Sequence, residues 1–316
     1  LIGFTIRALR RGGWRDPAAF ALITLTVGGI NATSLLLVLV GPAMWVAYAL
    51  FAEREVTWGR VLAVGARIGS LTLISSLWWM AGLMLQGNYG IPILDYTETY
   101  KVVATASTAP EVMRGLGYWF FYGSDSLGPW ISGAVTMVQN PLVLTVSFLL
   151  PGLVVLSALF TRFRYRAYFV MMVVVGALIS IASHPYESPT PAGAIFKAAT
   201  GTDAGLAFRS TPRAIPLLAL GGAVLLAAGI SAVATVRPRL RVPVALAVVA
   251  LIGINQAPLF QGRMVDNNLQ RSENIPEYWN EVAARLDAGD RDTRVLAMPG
   301  IDFASYTWGT TVDAST

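Results

Sequence analysis

From Pro17 to Ala52 the chain runs for 36 residues without Asp, Glu, Lys or Arg, and five more charge-free apolar runs follow: Ile68 to Gln86, Pro141 to Thr161, Ala167 to Ser183, Ala214 to Val236 and Val242 to Phe260. Runs of about 20 apolar residues match the ~30 Å hydrocarbon core of a bilayer. The fold class is therefore mainly α, a polytopic transmembrane helical bundle. A continuous helix over the 36 residues of the first run would reach roughly 54 Å, far more than one crossing needs. That run is expected to be a hairpin of two short arms, broken at Gly28, Gly29, Ile30 and Asn31.

Charge placement supports this count of crossings. Arg7, Arg10, Arg11 and Arg15 form one basic segment, and Arg54, Arg60 and Arg67 a second. Arg162, Arg164 and Arg166 form a third, and Arg237, Arg239 and Arg241 a fourth, together thirteen of the 23 Lys and Arg residues. If the first run is a hairpin and each later run crosses once, all four segments fall on one side, which should be the cytoplasm. The loops 87–140 and 184–213 and the tail from Gln261 then face outward. The net charge of +5 is mostly this topological signature, so a nucleic-acid partner is not expected. The Arg-rich loops also offer a surface to an acidic cytoplasmic partner or to anionic lipid. The chain has no Cys, which excludes disulfides and thiolate metal sites. It begins with Leu1 and reads as an internal piece of a longer protein.

Two regions stand out beside the spans. The outer loop 87–140 joins a Thr-rich stretch to the aromatic group Tyr118, Trp119, Phe120, Phe121 and Tyr122. Pro110 and Glu111 look like a helix start there, and Trp130 to Val138 is too short to span. Beyond Phe260 the composition turns polar, which divides the chain into a membrane domain, 1–260, and the start of an extracytoplasmic α/β or mixed domain, 261–316. In that tail, Pro276 to Leu286 has the spacing of an amphipathic helix and Arg294 to Met298 that of a short strand.

Several residues carry chemistry that fits an outer membrane surface. Arg209 and Arg213 bracket Pro212 just before an apolar helix, where guanidinium forks and free backbone N–H groups suit a phosphate. Snorkelling to lipid headgroups is the alternative. Asn31 could hydrogen-bond a ligand hydroxyl or simply satisfy the helix break. His184, the one histidine, precedes Glu187, and the pair could hold a proton or a sugar hydroxyl. Tyr118, Trp119 and Tyr122, with Tyr89, Tyr96 and Tyr100, could stack on sugar rings or belong to an interfacial aromatic belt. Asp95, Glu98, Asp125, Glu187 and Asp203 are carboxylates with no spacing that singles one out as a base. No metal-ligand cluster, nucleotide loop or nucleophile-elbow motif occurs, so no cofactor is assigned. Charge-free spans argue against ion-coupled transport.

Three stretches carry a family resemblance: GGINATSLLLVLVGP from Gly28 to Pro42, LAFRSTPRAIPLL from Leu206 to Leu218, and a tail that joins ENIPEYWNEVAARLD to RVLAMPGIDFASYTWGTTVD, Glu273 to Asp313. The chain resembles the actinobacterial α-(1→3)-arabinofuranosyltransferases of arabinogalactan and lipoarabinomannan assembly. These are similar to other GT-C glycosyltransferases of the plasma membrane. The resemblance implies a decaprenylphosphoryl arabinose donor, an arabinan acceptor and a site at the outer face. It also implies that the catalytic carboxylate lies on a first outer loop upstream of Leu1, so no catalytic base is assigned here. Arg209 and Arg213 would then hold the donor phosphate. A flippase for lipid-linked sugars and a non-catalytic assembly subunit are the competing readings.

Overall fold

The computed structural model describes residues 1–28, 32–89, 98–125, 128–182, 184–264, 276–289, 304–306 and 309–311. Helix α1, Ile2–Arg11, sets Ile2, Ile6 and Leu9 against the core and carries Arg10 and Arg11 in its last turn. Helices α2, Arg15–Gly28, and α3, Ala32–Ala47, form the hairpin, and α3 continues into a wide π turn over Tyr48–Ala52. Helix α2 ends at Gly28 and α3 begins at Ala32, on either side of the expected break, of which Gly29, Ile30 and Asn31 lie outside the described residues. The arms are unequal, however, since Thr33–Ala52 alone is a 20-residue apolar segment, long enough to cross. Pro42 lies inside α3 without ending it, which is why the second arm is not short.

Helix α4, Trp58–Tyr89, is longer than its apolar run, with 32 residues. Its basic first turns are stabilised from outside the helix: Arg60 Nε donates to the Leu9 carbonyl at 3.0 Å and Arg67 to the Gly13 carbonyl at 3.4 Å. After the loop region come α8, Pro141–Phe160, α9, Arg166–Ile181, α12, Ile215–Val236, and α13, Arg241–Asn255. Five helical segments among the described residues are long and apolar enough to cross a membrane, and α9 is a shorter apolar helix.

Helix α12 is central and packs on α9, α8 and α13. Paired glycines allow the close approach to α9. A Cβ on Gly176 would stand 2.7 Å from the backbone nitrogen of Leu218, and one on Gly221 would stand 2.8 Å from the Phe169 carbonyl oxygen. Small residues at such crossings let backbones meet where burial of apolar surface gives no net drive in lipid. Beside them Trp45, Tyr168 and Met172 are fully buried, and Tyr168 donates to the Gly41 carbonyl at 2.9 Å.

Three of the four basic segments meet at one end of this bundle. Arg10 bonds to Glu55 at 3.2 Å and to the Tyr165 hydroxyl, and Arg164 bonds to Glu53 at 3.3 Å and to Glu55. Glu53 and Glu55 thus neutralise arginines from two different segments. The opposite end carries α5, Tyr100–Ala106, α6, Ala109–Met113, the two-residue strands β1, Ser124–Asp125, and β2, Gly128–Pro129, and α7, Ser132–Gln139. The short helices α10, Pro191–Thr200, α11, Asp203–Leu206, and α14, Ala257–Phe260, belong to the connections there. In the tail, α15, Glu277–Asp287, matches the amphipathic helix read from the sequence. Strands β3, Ala304–Tyr306, and β4, Gly309–Thr311, form an antiparallel pair. The strand expected at 294–298 lies outside the described residues.

Candidate functional site

The loop end of the bundle is built by caps and turns that force side chains inward. Thr99 caps α5, its hydroxyl accepting from the Val102 N–H, and Thr108 caps α6, accepting from the Glu111 N–H. Thr108 and Glu111 have capping-box spacing, which ordinarily turns the glutamate back to the cap N–H. Here the Thr108 N–H bonds to the Ala106 carbonyl at 3.0 Å, and the Glu111 carboxylate is left for other partners. Arg114, one turn on, donates to it at 2.5 Å, and the Tyr122 hydroxyl donates to its other oxygen at 2.5 Å. Gly117, at φ 99°, adopts the left-handed turn that lets its N–H donate to the Tyr122 oxygen at 3.1 Å. Burial, and then the bond to Glu111, push the Tyr122 phenol well above its ordinary pKa.

Arg114 is buried to 1 % side-chain exposure. Its remaining bonds go to the Ser147 hydroxyl at 2.6 Å and the Met137 carbonyl at 2.5 Å. The Glu111–Arg114 pair separates two cavities. On one side an apolar cavity of about 470 Å³ runs between α8, α12 and α13, lined by Arg114, Pro151, Leu218, Gly222 and Asn255 among others. On the other an open groove of about 760 Å³ is walled by Glu111, Trp119, Tyr122 and Trp130, with Thr99, Thr105 and Lys101 around it. Asn255 is 6 % exposed and its side-chain oxygen has no hydrogen-bond partner among the described residues.

The arginines expected at a phosphate site are set back from this groove, behind Glu98 and Tyr118, and differ from each other. Arg209 is buried, donating to the Glu98 carbonyl at 2.7 Å and the Leu206 carbonyl at 3.0 Å, with its guanidinium 3.6 Å from the Glu98 carboxylate. Ser210 donates to that carboxylate at 2.7 Å. Arg213 is half-buried on the short helical turn Thr211–Ala214, with its guanidinium 5.9 Å from the Tyr118 ring centroid and 3.4 Å from its hydroxyl. Tyr118 in turn packs beside Trp119, at 6.1 Å between ring centroids. The chain of contacts from Arg213 to the groove is therefore continuous.

The other anticipated residues scatter. His184 Nδ1 lies 2.9 Å from the Ala104 carbonyl, a bond that holds a loop. Glu187 pairs with Lys101 at 2.5 Å in solvent, and that hydrogen bond holds its carboxyl below the usual range. Asn31 and Asp95 lie outside the described residues, as do the side chains of Asp125 and Asp203. Thr33, two residues past Asn31, donates to the Ala207 carbonyl at 3.1 Å, tying the hairpin to the segment that carries Arg209. Glu98 and Glu111 were not distinguishable as site residues from spacing alone, and Arg114 and Trp130 gave no functional signal. The Thr108-to-Glu111 cap and the Glu111-to-Arg114 spacing of one helical turn were the legible traces.

These features can be compared with known proteins. No solved structure matches the chain. The α-(1→3)-arabinofuranosyltransferase of Mycobacterium tuberculosis is 27 % identical over 337 residues, covering 98 % of this chain and 23 % of the relative. That of Mycolicibacterium smegmatis is 25 % identical over 315 residues, covering 95 % of this chain and 21 % of the relative. The chain thus spans less than a quarter of the length of these curated relatives. Residues 2–316 match the family described as α-(1→3)-arabinofuranosyltransferase, N-terminal GT-C domain, and the chain belongs to that family.

Proposed function

We propose that this chain is the membrane part of an enzyme that transfers an arabinofuranosyl unit from decaprenylphosphoryl arabinose to a growing arabinan in cell-wall arabinogalactan and lipoarabinomannan synthesis. The observation that carries the reading is the pair of cavities divided by Glu111 and Arg114. The apolar cavity offers the polyprenyl chain a path between α8, α12 and α13, and the outer groove offers rings and polar groups to sugars. In the reaction the bond between the arabinose anomeric carbon and the phosphate oxygen breaks. An acceptor hydroxyl oxygen bonds to that carbon and passes its proton to a general base, and decaprenyl phosphate leaves with the bonding electrons.

Negative charge grows on the phosphate as it departs, and a fixed cation placed there lowers the barrier. Arg213, at the helix start and only half-buried, suits direct contact with that phosphate, while Arg209 adds its charge from behind and holds the segment to Glu98. Tyr118, Trp119 and Tyr122 serve the sugars. His184 and Glu187 would lie at the rim, and Asn31 would hydrogen-bond a sugar hydroxyl. The Arg-rich end would face the cytoplasm, where an acidic partner or anionic headgroups would meet it, and the tail would begin a periplasmic domain.

The test is transfer of labelled arabinose from decaprenylphosphoryl arabinose to a synthetic arabinofuranoside by the purified full-length protein. Arg213→Ala should lower turnover by about 100-fold. Normal turnover in that variant removes the phosphate assignment. Movement of labelled donor across vesicles without glycoside product would replace the enzyme reading with a flippase.

A further inference from the structure

We infer that the outer groove is the binding subsite for the saccharide acceptor, with the Glu111 carboxylate as its polar anchor and Trp119 and Trp130 as its ring wall. The inference deepens the transfer reading above and rests on it.

Three observations converge. First, Glu111 is placed for more than pairing with Arg114. An ionised carboxylate accepts at about four lone-pair sites, and Arg114 and Tyr122 supply one donor each. Its side chain stays 20 % exposed in the groove wall. A carboxylate held on both oxygens is fixed in orientation, which is what a hydroxyl donor on a ligand needs.

Second, the ring wall is assembled by close packing. Trp119 and Trp130 meet edge to face at 5.9 Å between centroids, and Phe120 backs Trp130 at 5.0 Å. Trp130 lies so tightly on Gly123 that a Cβ there would fall 2.0 Å from its ring. Such rings give the C–H face of a sugar a flat apolar surface.

Third, the charges cancel. Glu111 is matched by Arg114, and Lys101, the cation that lines the groove, is paired with Glu187 at 2.5 Å. Tyr122 carries no charge at neutral pH, as a phenol whose pKa lies at or above its ordinary 10.0. What faces a ligand is therefore polar, aromatic and near neutral, with the hydroxyls of Thr99, Thr105 and Thr108 contributing. That selects a neutral polyol over an anion. The volume of about 760 Å³ lies within the range of roughly 300–1,000 Å³ that small-molecule sites occupy.

The experiment measures binding of a synthetic α-arabinofuranoside oligosaccharide to the full-length protein in detergent by saturation-transfer NMR. Acceptor KM, donor KM and donor hydrolysis without acceptor are measured beside it. Val102 lines the groove and is 46 % exposed, so Val102→Trp fills the groove without disturbing buried packing. Val102→Trp and Glu111→Gln should each weaken acceptor binding by at least about 10-fold and raise the acceptor KM more than the donor KM. Because Glu111→Gln also leaves Arg114 without its anion, Val102→Trp decides if that variant misfolds. Unchanged acceptor affinity and KM in Val102→Trp overturns the subsite while transfer stands. Saccharide binding that Val102→Trp abolishes, in a wild type that transfers nothing from the donor, supports the subsite and overturns the transfer reading instead.

Discussion

Replacing Arg209 with alanine tests how this end of the bundle is held together, and the structure changes what the sequence alone leads one to expect. Read as a surface clamp, Arg209 should tolerate truncation and lose only turnover. As an internal residue it should not. Its side chain is 6 % exposed and that of Glu98 is 11 % exposed, at 3.6 Å. At that 3.6 Å separation and an effective dielectric of about 20, the attraction is roughly 4–5 kcal/mol, most of it offsetting the cost of removing both charges from water. Arg209→Ala deletes the compensation and leaves the Glu98 carboxylate buried with Ser210 as its described donor. The expected cost is ~3–5 kcal/mol. Glu98→Gln should cost less, ~1–3 kcal/mol, because Arg209 keeps its bonds to the Glu98 and Leu206 carbonyls. The double variant Glu98→Gln/Arg209→Met removes both charges and should recover most of the stability lost in Arg209→Ala. The assay is hydrogen exchange across residues 206–215 of the solubilised full-length protein, with Tm recorded beside it, since a long protein need not unfold in one step. Wild-type protection in Arg209→Ala would refute the buried-pair argument and return Arg209 to the surface role. Arg213→Ala is the internal contrast, because Arg213 is half-buried rather than enclosed and its described contact with Tyr118 is worth ~1 kcal/mol.

Two other perturbations follow from the geometry. Gly176→Leu or Gly221→Leu should each destabilise the α9–α12 crossing by ~1–3 kcal/mol through overpacking, whereas Gly253→Ala, with open space around its Cβ position, should not; thermal unfolding in detergent distinguishes them, and equal stability of all three would refute the crossing. The Tyr122 phenol titrates above its ordinary value of 10.0 because of burial and its bond to Glu111. A raised folded value means that this contribution to stability is complete below the unfolded pKa and is lost as pH rises through the folded one. The tyrosinate absorbance difference between wild type and Tyr122→Phe should appear only above the ordinary range, and a normal titration would show that the phenol is not buried against Glu111.

The membrane core was legible because one physical demand dominates it. Crossing a bilayer excludes charge from about 20 residues at a time, and that pattern survives in the linear sequence whatever packs against what. The boundaries shifted where a residue's cost was covered by a partner far away in sequence. Arg60 and Arg67 extend α4 beyond its apolar run because carbonyls of Leu9 and Gly13 receive them. The unequal hairpin arms have a similar origin, since α3 passes through Pro42 and continues as a π turn whose Tyr48 is buried and bonds to Glu53 at 2.9 Å. No local signal announces such supports.

The site was harder to read for the opposite reason. Function at a membrane surface depends on which charges remain available after the fold has used the rest, and availability is a property of pairs. Arg209 and Arg213 are equivalent in the segment RSTPR, yet Glu98, 111 residues away, takes Arg209 inward and Tyr118 keeps Arg213 at the turn. Glu111 looked like part of a helix start, which it is. What the helix start conceals is that Thr108 has its backbone N–H satisfied by Ala106, so the carboxylate is released to Arg114 and Tyr122. The same substitution of partners places an ion pair between an apolar cavity and an aromatic groove. The lipid donor and saccharide acceptor proposed above would need adjoining surfaces of opposite character. A buried pair such as Glu111 and Arg114 can supply the boundary, since each member is neutralised by the other and neither cavity has to solvate a bare charge.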